Sequence, residues 1–345
     1  VLDQRHRQQA VSRATLLLAA ALLNACGSSP AVPPPAATPR ATVPAPTPHR
    51  LVPRPALRLY AAMATDGAHR TVLLFGGGTQ AGDLDDTWTW ADGRWTQSEA
   101  FPVPPPRGLA GLAEDGAGRV VLFGGEQGGT RTLGDTWFWD GTGWTATAAG
   151  PGPSRRSAVA MGYDAGTHRV LLFGGAGVDG RTADTWVFAG GRWTEARPPS
   201  APPPRSGAAM AYDPVRQQLL LFGGAGASGD LGDTWAWASG SWHPLRPATS
   251  PAARSGAAMA WDASGGRMVL FGGVVAGQPR QDTWLWDGTG WSAASPTVSP
   301  PARAFPALAA DPSSGTVLLF GGQGTGGALG DGWVWRSGGW SMTPG

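Results

Sequence analysis

A 49-residue unit recurs six times along this chain, and that regularity limits the fold more than any other feature. Arg58, Arg107, Arg156, Arg205, Arg254 and Arg303 stand at equal intervals, as do Trp95, Trp144, Trp193, Trp242, Trp291 and Trp340. Asp86, Asp135, Asp184, Asp233, Asp282 and Asp331 keep the same step. A unit of this length built from short apolar runs cannot bury its own hydrophobic face, so each must lie against the next. The expected architecture is all-β: a six-bladed β-propeller of four-stranded antiparallel blades, at about 57–106, 107–155, 156–204, 205–253, 254–302 and 303–345.

Blade four shows the pattern most clearly. Its first strand, A, reads SGAAMAY and is rich in small residues, as the innermost strand must be where six blades crowd one axis. Strand B (QLLLF) is a continuous apolar run, suited to cover on both faces. Strand C alternates, placing Trp235 and Trp237 on one face, and strand D carries Trp242 after a Ser-Gly turn. Two aromatic positions on strand C and one on strand D make eighteen sites, of which seventeen are Trp and one is Phe188. The eighteenth tryptophan, Trp261, ends a strand A. Such recurrence fits packing between blades; the functional alternative is a stacking platform for sugars.

The FGG triplets at Phe75, Phe123, Phe173, Phe222, Phe271 and Phe320, with the spaced aromatics of strands C and D, resemble kelch repeats. The resemblance covers Arg58 to Trp340 and implies a propeller of the galactose-oxidase-like superfamily. Blade six departs from it by carrying Gly332 where the other blades have Thr. The array begins with a strand A and ends with a strand D, so closure without an interlocked strand is expected. Residues 51–56 are the alternative source of one.

Ahead of the repeats, Arg5, Arg7 and Arg13 precede an apolar run from Ala14 to Leu23, which is too short to span a membrane but suits an export signal. The run ends in Leu23-Asn24-Ala25-Cys26, which resembles a bacterial lipobox and implies lipidation at Cys26, with Asn24 atypical. Residues 1–26 are read as signal and 27–56 as a linker. Ten prolines fall between Gly27 and Pro55, a composition that favours an extended spacer. Beyond the signal, 23 arginines face 23 acidic residues with no lysine, so no basic surplus argues for nucleic acid.

Antiparallel connectivity sorts the loops. A-to-B and C-to-D turns are tight and share one face. B-to-C loops and proline-rich D-to-A links are irregular and share the other, where specificity is expected to reside. The six periodic arginines begin strand A on that second face. Two roles fit them. Their forks suit carboxylates or phosphates at an open anion-binding mouth, with Arg131, Arg181 and Arg280 adding to it. Alternatively, they pair structurally with the six periodic aspartates.

Enzyme chemistry is sparse. The copper centre of the sugar oxidases that share this superfamily needs histidines and a cysteine beside tyrosine. The repeats hold only Tyr60, Tyr163 and Tyr212, dispersed His69, His168 and His243, and no cysteine. The same lack excludes a zinc cluster. Sialate mutarotases are bacterial kelch-type propellers, and that comparison makes Glu126, directly after a Gly-Gly, the acid–base candidate. Glu114, Glu99 and Glu195 also break the repeat. Asp83, Asp85 and Asp86 form the one cluster suited to calcium. No cofactor is expected. The leading expectation is a non-catalytic binding module at the bacterial envelope, lipid-anchored and monomeric, taking a protein or a glycan. A sugar-acid enzyme and a structural envelope protein are the alternatives.

Overall fold

The computed structural model describes residues 53–147 and 150–344, and no helix forms among them. Each repeat folds into one four-stranded antiparallel sheet, giving six blades in chain order. In blade four the strands are A (Ala209–Asp213), B (Gln218–Phe222), C (Thr234–Ala238) and D (Ser241–Leu245). Ala209 pairs with Phe222, Leu219 with Trp237 and Trp237 with Trp242. The chain is thus a six-bladed β-propeller. Cys26, the expected export signal and most of the expected linker lie outside the described residues.

Local chemistry sets each blade. Strand A ends in a buried aspartate that turns the chain: Asp213 Oδ1 accepts the backbone N–H groups of Val215 and Arg216 at 2.9 and 3.1 Å. Strand B then runs through the middle of the sheet, with Leu219, Leu220 and Leu221 at 0% exposure because neighbouring blades cover both faces. At Gly223 the backbone turns left-handed (φ 68°), and a Cβ there would lie 2.5 Å from the carbonyl oxygen of Arg254. The FGG motif is therefore a docking notch: Gly224 N–H donates to that same carbonyl, from the next blade, at 2.8 Å.

Blades pack through aromatics. Phe222 meets Trp291 of the following blade edge-on at 5.3 Å, and Trp291 meets its own blade's Trp286 at 5.3 Å. Equivalent Phe–Trp pairs occupy all six interfaces, including Phe320–Trp95 at 5.5 Å between the last blade and the first. Such pairs contribute about 0.5–1.5 kcal/mol beyond area burial. At five interfaces the strand D indole also donates to the threonine that follows the periodic aspartate of the preceding blade, as Trp291 does to Thr234 at 3.0 Å. The sixth would use residue 332, which is Gly, so Trp95 has no such partner.

The ring closes with no exchanged strand. Arg58 N–H donates to Leu329 O at 2.9 Å and Gly322 N–H to Arg58 O at 3.0 Å, the same bonds that Arg107 makes with Leu84 and Gly77 inside the array. Residues 53–56 form no strand. The six strands A surround a channel lined largely by alanine and methionine.

Candidate functional site

The periodic arginines are not an open mouth. Each is at most 2% exposed and grips the periodic aspartate of its own blade with both terminal nitrogens, at 2.5–2.9 Å. The Nη1 that holds one carboxylate oxygen also donates to the carbonyl of the first FGG glycine, and Nε donates to the carbonyl two residues back. Meanwhile the arginine backbone bonds to the preceding blade, as Arg205 N–H does to Thr182 O at 3.1 Å. Arg58, Arg107, Arg156, Arg205, Arg254 and Arg303 are inter-blade staples, their donors consumed by Asp86, Asp135, Asp184, Asp233, Asp282 and Asp331. The expectation that they clamp an external anion is corrected on this geometry.

Each of these aspartates takes a third donor, the indole N–H of the tryptophan two residues on, at 2.6–2.8 Å. Burial pushes the carboxyls of Asp135, Asp184, Asp233, Asp282 and Asp331 up. The guanidinium fork and the indole pull further the other way, and each ends below the usual carboxylate value.

The mouth on the B-to-C face is instead framed by backbone. Tyr60, Leu109, Ala158, Gly207, Gly256 and Phe305 are one repeat position, and all six are left-handed, with φ between 47° and 64°. A non-glycine residue there costs about 1 kcal/mol. The conformation turns each N–H toward the carbonyl of the preceding blade's equivalent, and five bonds of 2.6–2.9 Å run from Tyr60 O round to Phe305 N. Between Phe305 and Tyr60 the two rings meet edge-to-face at 5.2 Å. Phe305 leans over the two glycines: a Cβ on Gly256 would lie 2.7 Å from its Cε2.

This rim is asymmetric. The residue after each Gly-Gly faces it as Gly78, Glu126, Ala176, Ala225, Val274 and Gln323, so polar groups flank blade one alone. Tyr60 Oη donates to Gln323 Oε1 at 2.9 Å. Glu126 Oε2 accepts from Ser157 Oγ at 3.2 Å. Burial and then the Glu126 charge raise the Tyr60 phenol above its usual value. Of this cluster, sequence reasoning singled out Glu126 and missed Tyr60, Gln323, Ser157 and Phe305. Tyr60, Gln323 and Phe305 stand where most blades carry smaller or aliphatic residues, which was the available signal; Ser157 recurs as Ser206 and Ser255 and offered none.

Arg131, Arg181 and Arg280 are exposed on B-to-C hairpins of blades two, three and five, and none joins an ion pair among the described residues. Arg131 donates to Gln127 Oε1 at 3.2 Å and Arg181 to Ser206 Oγ at 3.3 Å. They stand on three separate blades and do not converge on one another, although Arg131 shares its hairpin with Glu126. The calcium candidates do not converge either. Asp86 is held by Arg58, Asp83 accepts Gly128 N–H at 2.6 Å, and Asp85 is exposed. No group of three metal-ligating side chains occurs among the described residues.

Large exposed apolar side chains gather on the same face. Phe101 (90%) and Val298 sit on D-to-A links, Val178 (78%) on a B-to-C hairpin and Leu57 beside Arg58, whereas Val215 marks the opposite face. No tryptophan is exposed.

Residues 191–341 match the family model of the KLHDC2/KLHL20/DRC7 Kelch-repeats domain, spanning strand D of blade three through blade six. Kelch propellers are generally protein-interaction modules. No curated protein matches the chain.

Proposed function

We propose that this chain is a non-catalytic interaction module that takes a protein partner on the B-to-C/D-to-A face and works at the bacterial cell envelope, tethered through Cys26. One observation carries the reading: the rigid, staple-closed ring places its irregular hairpins, Arg131, Arg181 and Arg280 among them, and most of its large exposed apolar side chains on one face. Phe101 and Val178 offer anchors, and the arginines offer a charged periphery that selects acidic groups. A glycan platform finds less support, because the tryptophans that would stack on sugars are all wholly or partly buried. A sugar-acid enzyme needs an anion clamp beside Glu126, and the enclosed ring arginines cannot supply it.

A photo-crosslinking amino acid placed at Val178, with Val215 as the opposite-face control, tests the module in cells that make the intact chain. A discrete protein adduct from residue 178 alone is expected. Equal adducts from both positions, or none from residue 178, count against this face as the docking surface. The tether is tested separately by fatty-acid labelling, which Cys26→Ser should abolish.

A further inference from the structure

At the opposite end of the channel, where strands A run into the A-to-B turns, the lumen widens to a cavity of about 260 Å³. Its inner edge carries the thioethers of Met63, Met161, Met210 and Met259, four of the six residues at one repeat position. Two residues outward the wall presents Glu114, Tyr163, Tyr212 and Trp261, all partly buried. Four blades thus place a carboxylate, two phenols and an indole round an apolar, polarizable floor.

Glu114 has no cation. Its Oε2 accepts one backbone N–H, from Gly67 at 3.2 Å, and it joins no ion pair among the described residues. The charges around it are already matched: His69 holds Asp66, Arg119 holds Asp115, and His168 meets the Tyr163 hydroxyl. A half-buried carboxylate facing thioethers and aromatic rings, with neighbouring cations engaged elsewhere, lacks a positive group that the fold does not provide.

We propose that this cavity binds a small organic ammonium, its charge against Glu114 and its apolar body among Tyr163, Tyr212, Trp261 and the methionines. Aromatic faces attract a cation through their quadrupole, and the thioether floor accommodates irregular apolar shapes. Burial, and then the charges of Asp66 and Asp115, hold the Glu114 carboxyl above its usual value against the Gly67 hydrogen bond. Binding should therefore strengthen as pH rises and Glu114 ionises. The titratable groups around it are Asp66 with its partner His69, Asp115 with Arg119, and Tyr163 with His168.

Calorimetric titration of the intact chain at mildly alkaline pH, with phenethylammonium and with neutral 2-phenylethanol, separates charge from shape. The ammonium should bind at least about tenfold tighter than the alcohol, and Glu114→Gln should remove that margin. Gln can still accept the Gly67 bond, so the variant keeps its fold, which thermal unfolding would verify. Trp261→Ala should weaken both probes, whereas Glu126→Gln, at the far mouth, should change neither. Absence of heat with the ammonium, equal affinity for the alcohol, or undiminished binding by Glu114→Gln would overturn the proposal.

Discussion

Arg205 holds Asp233 by two parallel bonds, Nη1 to Oδ1 and Nη2 to Oδ2, both 2.7 Å, while its backbone accepts from Gly175 and donates to Thr182 of the preceding blade. The side chain belongs to one blade and the main chain to another, so the pair couples the fold of a blade to its seating in the ring. Arg205→Ala leaves the carboxylate and the Gly223 carbonyl without their donor. The expected loss is roughly 3 kcal/mol, at the low end for breaking a buried pair from one side, because the Asp233 side chain is 36% exposed and water takes up part of the charge left behind. Arg205→Lys should recover only part, because an ammonium cannot supply two parallel bonds. Urea unfolding measures both, and a loss under about 1 kcal/mol for Ala would mean the staple is idle.

The indole–threonine bond offers a second test at the interface. Thr234→Val should cost about 1–3 kcal/mol by orphaning the buried Trp291 N–H, and a double-mutant cycle with Trp291→Phe should show coupling.

At the closing interface the expectation reverses. A Cβ on Gly332 would lie 2.5 Å from Thr343 Oγ1, so Gly332→Thr alone should destabilise. Combined with Thr343→Ala it should regain stability by offering Trp95 the bond the other five interfaces have. A double variant no better than the single one would show that the seam is shaped by something else.

Acid should unfasten the ring. The folded values of Asp135, Asp184, Asp233, Asp282 and Asp331 are depressed, so their contribution is complete above the ordinary carboxylate range and is lost as pH falls through the folded values. Glu114 has the opposite sign: its folded value is raised, so its ionisation costs stability toward neutral pH, and Glu114→Gln should stabilise there. Tryptophan fluorescence against pH at fixed urea reads both. An acid limb unchanged in Asp233→Asn, with Arg205 intact, would contradict the first part.

Two glycines separate backbone need from mere spacing. Gly174 has φ 65°, and its Cβ would lie 2.6 Å from Arg205 O, so Gly174→Ala should unfold or severely destabilise the chain. Gly290 has open space and no left-handed φ, so Gly290→Ala should be tolerated within about 0.5 kcal/mol. Melting temperatures of the two variants decide it.

The period by itself determined the blade count, the strand order and the aromatic packing of this protein. These depend on residues at fixed offsets in neighbouring repeats, so each contact is written six times and isolated deviations do not hide it. Closure without an exchanged strand was also legible, from where the first A and the last D fall. Whether Arg156 faced a ligand or Asp184 was not, since period and residue type suit both, and only the 2% exposure and the bidentate geometry choose. The rim was hidden for a different reason. Tyr60 and Gln323 are 263 residues apart, and nothing local links them; they touch because the ring closes and brings the first blade beside the last. Repetition writes the scaffold into every unit. Asymmetry, at the rim and around Glu114, exists only once six unlike residues at one repeat position converge on a common axis.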